Sequence, residues 1–148
     1  MFDLPFFIRH PDGLGKGKHI NSLVYNFDIF PTILESLNIT SPKPVDGQSL
    51  WKLIDNDNLE NRKWVTCGFN SYVWIRDENY AYITDYDRKN EYLYNLIKDP
   101  MQNENIAESN PDVNQKMFEM ILKDADGELI DHSTALMKKI EEWYTMSI

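Results

Sequence analysis

The sequence predicts an α+β fold, and three observations along its 148 residues support that prediction. Residues 4–9 form an apolar run without alternation, which is typical of a strand buried on both faces of a mostly parallel sheet. Between residues 63 and 96, short aromatic and β-branched runs are separated by polar turns, which indicates antiparallel strands. After residue 110 apolar side chains recur at helical spacing. The expected order is therefore a buried strand, a helix, a small antiparallel sheet and C-terminal helices.

In the first third, residues 11–18 form a glycine-rich loop, and the pattern that follows predicts a helix over residues 28–37. Asp28 is a candidate cap, because its carboxylate can accept hydrogen bonds from the first free N–H groups, and Pro31 is tolerated in the first turn. Four apolar residues then share one face: Phe30, Ile33, Leu34 and Leu37. Residues 49–54 predict one further helical turn.

The second part predicts about four strands, at residues 63–69, 72–76, 80–86 and 91–96. A helix should begin after Asn110, with Asn as its cap, proline at its first position and Asp112 near the positive end of its dipole. A last amphipathic helix is predicted over residues 133–143. Near residues 56–62 the sequence changes from a loop and helix pattern to a series of short strands. This change predicts two regions, 1–57 and 58–148.

Charge and composition exclude several classes of function. The net charge is −9 and the isoelectric point is near 4.7, so phosphate backbones are repelled and nucleic-acid binding is not expected. The sequence holds no apolar run long enough to span a membrane, and its first eight residues are too short and too acidic for a secretory signal. Its single cysteine, Cys67, allows no internal disulfide and predicts a buried, inert thiol in a strand.

The usual catalytic motifs are missing. The sequence has no Gly-x-Ser-x-Gly elbow, and its three histidines, His10, His19 and His132, lack the spacing of a zinc protease. Gly13, Gly15 and Gly17 alternate with lysines, but His19 stands where a phosphate-binding P-loop needs Ser or Thr, so a mobile surface loop is the better interpretation.

Two acidic pairs also lack a ligand pattern. Asp124 and Asp126 do not fit the register of a calcium-binding EF-hand, and Asp85 and Asp87 fall where a hairpin turn begins. Both pairs are interpreted as solvated turns. Taken alone, spacing and composition therefore predict an α+β domain without an active site.

Three stretches in order resemble the sulfatase family, in particular the arylsulfatase-like members of the alkaline phosphatase superfamily. PFFIRHPDG at residues 5–13 resembles the family's apolar strand that ends in a proline-glycine turn. DIFPTILE at 28–35, followed by DGQSL at 46–50, is similar to its Asp-x-x-Pro-Thr-x-Leu and Asp-Gly-x-Ser-Leu segments. LYNLIKDPMQNENIA at 93–107 resembles its Leu-Tyr-Asp-Leu-x-x-Asp-Pro signature. The resemblance covers roughly residues 4–125 and implies the C-terminal portion of a sulfatase.

The chain also departs from the family's pattern at three positions. Asn95 and Gln102 stand where the family usually has acids, and Ala81 occupies a common lysine position. These departures suggest a subfamily and leave the substrate open.

The resemblance implies a parent enzyme that hydrolyses sulfate esters with a formylglycine made in a Cys/Ser-x-Pro-x-Arg motif. It also implies a divalent metal ion, usually calcium, and a sulfate-binding lysine, all N-terminal to the matched region. The sequence contains no Cys/Ser-x-Pro-x-Arg, since Cys67 is followed by Gly68 and Phe69. No catalytic residue, metal ligand or cofactor can therefore be assigned to this chain, and the chain alone is expected to be inactive.

Four residues remain as candidates for contact with substrate. In the parent, His10 and Arg9 would lie at the C-terminal end of a sheet strand, near the cleft. Trp74 and Arg76, on the small sheet, could touch the distal part of a substrate, because aromatic faces suit sugars or aryl groups and arginine pairs with sulfate or carboxylate.

Three hypotheses follow. The first is a piece of a sulfatase whose partners are the missing N-terminal catalytic portion and a sulfated small molecule or sugar. The second keeps the scaffold but acts on phosphonate or phosphate esters. The third is a stand-alone binding or structural module. In the first case apolar surface before residue 57 would be exposed and would favour homo-oligomers. The sequence leaves the compartment open.

Overall fold

The computed structural model describes residues 5–55 and 62–129. The chain divides into two compact units, residues 1–62 and residues 63–148. The boundary predicted between residues 57 and 58 falls in an undescribed stretch and stays a prediction. The helix predicted at residues 133–143 and His132 also lie outside the described residues.

Two helices form the regular part of the first unit. A single 3-10 turn, Asn26–Asp28, leads directly into α1, Ile29–Ser36, and α2 follows at Trp51–Asp55. Asn38 ends α1 in the left-handed conformation with φ +54°, which Asn tolerates better than most residues, and the N–H of Ile39 donates to the Leu34 carbonyl at 2.9 Å. Both helices predicted for this region are confirmed.

Two predictions for the first unit are wrong. Residues 5–10 form no strand, and Phe7 is 90% exposed instead of buried. A strand exists only when a neighbour accepts and donates its ladder hydrogen bonds, and an apolar pattern alone does not supply that neighbour. Asp28 does not cap α1 with its side chain, because its backbone is already helical and its carboxylate binds other groups.

A four-stranded antiparallel sheet forms the first part of the second unit. Its strands are β1, Val65–Phe69, β2, Tyr72–Arg76, β3, Tyr80–Asp85, and β4, Glu91–Asn95, and they lie side by side in chain order. The four predicted strands are confirmed. Short polar links fix this order: in the β2–β3 turn the Asp77 carboxylate accepts the N–H groups of Asn79 and Tyr80 at 2.8 and 2.7 Å.

The helix α3, Pro111–Asp124, packs on one face of the sheet, so the predicted combination of antiparallel sheet and helix is confirmed. The buried core consists of side chains from the sheet, from α3 and from the segment that joins them: Val73, Ile75, Tyr82, Leu93, Ala107, Met117 and Ile121. Proline opens α3 as predicted, but the Asn110 side chain donates to the Ile106 carbonyl at 2.8 Å instead of capping the helix. Among the described helices none is long and apolar enough to cross a membrane.

Candidate functional site

A buried ion pair organises the first unit. The Asp28 carboxylate is fully buried, and it receives both terminal nitrogens of the Arg62 guanidinium. It also accepts the N–H of Tyr25 at 2.7 Å and the N–H of Gln48 at 2.8 Å. Burial opposes ionisation of Asp28, but the hydrogen bonds from Arg62, Gln48 and Tyr25 outweigh it and hold the pKa of this carboxyl below its usual range. Each of its two oxygens accepts two hydrogen bonds, so Asp28 has a structural role and offers no free acceptor position to a ligand.

Thr32 joins the two sequence segments that resembled the sulfatase pattern. Its hydroxyl donates to the Asp28 carbonyl at 2.6 Å and accepts the N–H of Leu50 at 2.9 Å. The indole N–H of Trp51 donates to the Thr32 carbonyl at 2.7 Å. Gly47 lies so close to this turn that a Cβ there would stand 2.6 Å from the Phe27 carbonyl oxygen. These residues therefore form a scaffold, which explains why both segments have their composition.

His10 and Arg9, the first pair of predicted contact residues, lie in the first unit. The His10 ring is half-buried and meets Trp51 edge-on, with the ring centres 5.3 Å apart. Its Nδ1 accepts the N–H of Asp12 at 3.2 Å, so a neutral His10 carries its proton on Nε2. Arg9 is exposed. The pair therefore combines an imidazole in a defined tautomer with a guanidinium that is accessible to an anion.

Trp74 and Arg76, the second pair, lie on β2 in the second unit, two residues apart and hence on the same face of the sheet. That face is opposite α3, because Val73 and Ile75 between them belong to the core that α3 covers. Trp74 stands between Cys67 of β1 and Ile83 of β3, and Arg76 between Val65 and Ala81. Cys67 is exposed, so the prediction that its thiol is buried is wrong. It lies on β1, which has a neighbouring strand on one side only within the described part of the chain.

More aromatic side chains share this surface. By the register of the strands, the face that carries Trp74 and Arg76 also carries Phe69, Tyr72, Tyr92 and Tyr94, and we call this set of six side chains the aromatic face. Phe69 is 75% exposed, and Tyr72 and Tyr92 are each 39% exposed. Flat rings beside a guanidinium can stack on a sugar or aryl group and pair with its acidic substituent. Sequence reasoning found two of the six; alternation along β2 adds Tyr72, and the strand register adds the other three.

A second polar cluster, which sequence reasoning missed, connects the sheet to α3. The Tyr82 hydroxyl donates to the Glu91 carboxylate, and Arg88 Nε donates to the same oxygen at 3.0 Å. The side-chain amide of Asn114 donates to the other Glu91 oxygen at 3.4 Å, and Arg88 lies over the ring of Phe118 at 4.6 Å. The i, i+3 spacing of Arg88 and Glu91 was a usable signal for the ion pair.

The environment of this cluster shifts the pKa values of Tyr82 and Glu91 in opposite directions. Burial, together with the hydrogen bond to Glu91, raises the pKa of Tyr82 to about 12. Burial opposes ionisation of Glu91, but hydrogen bonds from Tyr82 and Arg88 outweigh it and lower the pKa of that carboxyl. The cluster links the sheet to the helix through side chains that are partly exposed, so it serves to hold α3 in place.

The described residues do not fit a catalytic metal or formylglycine site. Within residues 5–55 and 62–129, no group of three or more His, Cys, Asp or Glu side chains could hold a metal ion. The predicted turn acids have other partners: Asp85 accepts the N–H of Lys89 at 2.7 Å and the amide of Asn90 at 2.6 Å, and Asp124 accepts the Thr66 hydroxyl. No step through a metal or formylglycine can therefore be derived from this chain.

Comparison with known proteins gives one family. A family model described as the C-terminal region of N-sulphoglucosamine sulphohydrolase matches residues 1–127. An arylsulfatase of Clostridium perfringens is 31% identical over 116 residues, which cover 72% of this chain and 24% of that protein. A ulvan-active sulfatase of Formosa agariphila is 27% identical and covers 82% of this chain and 32% of its own length. The chain thus spans about a quarter to a third of these relatives.

Solved structures share the fold. One, a 2-O glycosaminoglycan sulfatase, superposes with a TM-score of 0.56 at 21% identity, over 66% of this chain and 23% of its own. Another, solved in complex with its substrate D-glucosamine-2-N,6-O-disulfate, has a TM-score of 0.56 at 18% identity, over 68% and 23%. Because the family model covers most of the sequence and each relative is matched over only a fraction of its length, this chain belongs to the sulfatase family and represents a C-terminal portion of it.

Proposed function

We propose that this chain is the C-terminal part of a sulfuric ester hydrolase, in which it supplies scaffold and pocket-shaping residues but neither the nucleophile nor the metal ligands. The observation that supports this most strongly is the match of residues 1–127 to a C-terminal sulfatase region, over only a quarter to a third of the curated relatives. The sequence itself contains no Cys/Ser-x-Pro-x-Arg motif. The nucleophile and metal ligands then come from the remaining part of the whole protein.

The exposed apolar face of α1 supports a role as part of a larger body. Phe30, Ile33 and Leu37, which the sequence placed on one face, are each more than half exposed. A groove of about 450 Å³ also involves α1 and combines apolar residues such as Pro31 and Leu34 with polar ones such as Glu35 and Asn38. Large apolar side chains grouped in an exposed position mark an interaction site in soluble proteins. We assign it to contact with the missing N-terminal portion, and self-association of the isolated chain is the alternative outcome.

The aromatic face and the Arg9–His10 pair are the candidate pocket-shaping groups. Trp74 with its neighbouring tyrosines offers flat apolar area, and Arg76 offers a planar cation that matches sulfate or carboxylate. Relatives named for ulvan and for N-acetylglucosamine-6-O-sulfate make a sulfated sugar the favoured substrate class. In the whole enzyme these groups would bind and orient the sugar, while formylglycine and a calcium ion from outside this chain would supply the ester chemistry.

Of the alternatives, neither a phosphonate or phosphate ester hydrolase nor a stand-alone module is favoured by an observation. The curated relatives from Clostridium perfringens, Formosa agariphila, Bacteroides thetaiotaomicron and Drosophila melanogaster are all named as sulfatases. Phosphoryl transfer would use the same scaffold but would still need a nucleophile that this sequence does not contain.

The proposal is tested in two steps with 4-nitrophenyl sulfate. The purified chain, assayed with calcium present, should hydrolyse none of it above the buffer rate; turnover that co-purifies with the chain would overturn the proposal. In the second step, these residues replace the matching segment of the Clostridium perfringens arylsulfatase. The chimera should regain hydrolysis that the same arylsulfatase lacks when cut before that segment. A chimera that is folded by circular dichroism yet inactive would show that this chain does not complete a sulfatase site.

A further inference from the structure

Residues 9–19, the basic loop, have a charge opposite to that of the rest of the chain. They contain three cations, Arg9, Lys16 and Lys18, against one carboxylate, Asp12. Two of the three histidines of the sequence also lie here, so the loop has a local charge of +2 in a chain of net charge −9. Both Arg9 and Lys16 are exposed. None of these residues takes part in the buried network around Asp28.

Two contacts fix the basic loop to α2. Gly15 lies against Ile54 with φ +68°, and a Cβ at that position would come within 2.6 Å of the Ile54 side chain. Only glycine combines this backbone conformation with this close approach. Three residues later, the Lys18 ammonium donates to the Ile54 carbonyl at 2.8 Å, near the C-terminal end of the helix. The loop is thereby held at its middle and at its far end.

Three turn hydrogen bonds organise the intervening residues. The N–H of Gly13 donates to the His10 carbonyl, that of Lys16 to the Gly13 carbonyl and that of Lys18 to the Gly15 carbonyl, each at 3.0–3.1 Å. Gly13 and Gly17 adopt positive φ of 77° and 75°, as such consecutive turns require. The backbone around Lys16 is therefore already ordered in the folded chain. A ligand that binds there loses less free energy to the ordering of this loop.

Salt screens the negative charges elsewhere on the chain, so the basic loop can attract an anion locally. At physiological ionic strength the Debye length is about 8 Å, so acidic residues farther from the loop than this repel an incoming anion less than the cations of the loop attract it. Guanidinium and ammonium groups are the usual partners of sulfate and carboxylate. The surrounding glycines leave the approach open, since a Cβ on Gly13 or Gly17 would meet no atom within 4 Å.

We infer that the basic loop extends the Arg9–His10 pair into an anion-binding site, which holds a sulfate or carboxylate group of an acidic polysaccharide. The choice of an acidic sugar rests on the proposed function, whereas anion binding itself requires only this loop. Arg9 and Lys16 supply the charge, and Gly15 and Lys18 keep the loop on α2. Such a contact would add affinity for a polymer beyond that supplied by the pocket itself.

The test measures binding of the full chain by titration calorimetry at physiological salt. The probes are a dextran sulfate oligosaccharide for sulfate, a hyaluronan oligosaccharide for carboxylate, unsulfated dextran and polyphosphate. The double variant Arg9→Gln/Lys16→Gln should weaken binding of the preferred acidic sugar roughly tenfold, as expected for two partly exposed charge contacts. The matched control, Lys43→Gln/Lys98→Gln, removes the same charge from exposed positions elsewhere and should leave the affinity unchanged.

Each result decides the inference. Tight binding of one acidic sugar that only the loop variant weakens supports it, and the preferred probe identifies the anionic group. Equal weakening in both variants would mean non-specific charge attraction and would overturn it, as would no binding of either acidic sugar by the wild type. Polyphosphate bound more tightly than either sugar would assign the loop to a phosphate ligand instead. Hydrolysis of 4-nitrophenyl sulfate by the chimera tests the proposed function separately, since no polymer is involved.

Discussion

The two units of this chain bury different kinds of groups. In the second unit the most deeply buried side chains are large and mostly apolar, among them Ile75, Tyr82 and Leu93, each 0% exposed. Among the described residues of the first unit the most deeply buried side chain is the Asp28 carboxylate, with Leu50 and Ile54 as buried apolar residues, while Phe7 and Leu37 lie in solvent. Burial of apolar area is the main force that stabilises a fold. The second unit therefore has a large apolar core of its own, whereas the described part of the first unit combines little buried apolar area with a few hydrogen-bonded polar groups.

The largest effect should come from Asp28→Asn, which breaks the polar centre of the first unit. The change leaves the Arg62 guanidinium, which is 13% exposed, without its counter-charge. Removing one partner of a buried ion pair costs about 3–5 kcal/mol. Hydrogen exchange of amides such as those of Gln48 and Leu50 should report this loss, while amides of β3 keep their protection.

Lowering the pH tests the stabilising role of the Asp28 carboxylate in a second way. The pKa of Asp28 is lower in the folded chain than the value of about 3.9 in unfolded chains. Its ionised form therefore stabilises the fold fully above that value, and this contribution is lost as the pH falls through the folded pKa. The difference between wild type and Asp28→Asn should shrink in acid. Asp46→Asn, at an exposed position nearby, serves as the control and should be about as stable as wild type at neutral pH.

In the second unit, Leu93→Ala should cost about 3 kcal/mol, slightly less than the loss expected for Asp28→Asn. Leu93 is 0% exposed and lies in the core between the sheet and α3, so truncation leaves a cavity there. Urea unfolding followed by hydrogen exchange should show the loss in β2 and β3 and not around Gln48. Ile97→Ala removes the same kind of apolar atoms from a position that is 69% exposed and should change stability by less than about 0.5 kcal/mol. Equal losses at both positions would contradict a closed core.

The same contrast explains what the sequence could predict. The strands were predictable because alternation and polar turns are local signals, and all four are found within two residues of their predicted ends. The strand at residues 4–9 was not, because its existence depends on a neighbour that no local pattern supplies. The Asp28 carboxylate was expected at the helix start, yet its main partner, Arg62, is 34 residues away. Long-range partners of polar groups cannot be inferred from spacing.

The candidate site was predictable to a similar, partial degree. Trp74 and Arg76 were found from their residue types, and strand alternation places them on one face with Tyr72. The aromatic residues from β4 need the strand register, which is set by two hairpins and not by either strand alone. The four proposed contact residues stay a prediction, to be tested in the chimera.

Tyr82→Phe should weaken the second unit by about 1–2 kcal/mol at neutral pH, because the Glu91 carboxylate loses one donor but keeps Arg88 and Asn114. In alkali the difference in stability between wild type and Tyr82→Phe should disappear. The folded pKa of Tyr82 is about 12, above the value of about 10 in unfolded chains, so its contribution is complete below about pH 10 and is lost as the pH rises towards 12. Urea titrations should therefore converge at high pH. The control Tyr72→Phe changes a half-exposed ring and should cost little at neutral pH.

The smallest effect should come from Ile33→Gln, which tests whether the exposed face of α1 awaits a partner. Ile33 is 51% exposed, so the change should alter the stability of the isolated chain by less than about 0.5 kcal/mol. In the arylsulfatase chimera, where the remaining protein should cover this face, the same change should cost about 1–2 kcal/mol, because an apolar side chain then loses a buried position. Ile97→Gln, the same change at a 69% exposed isoleucine of the second unit, is the control and should be mild in both proteins. If Ile33→Gln is equally mild in both proteins, the apolar face of α1 is not an internal contact of the whole sulfatase. The exposed apolar side chains on α1 would then need another explanation.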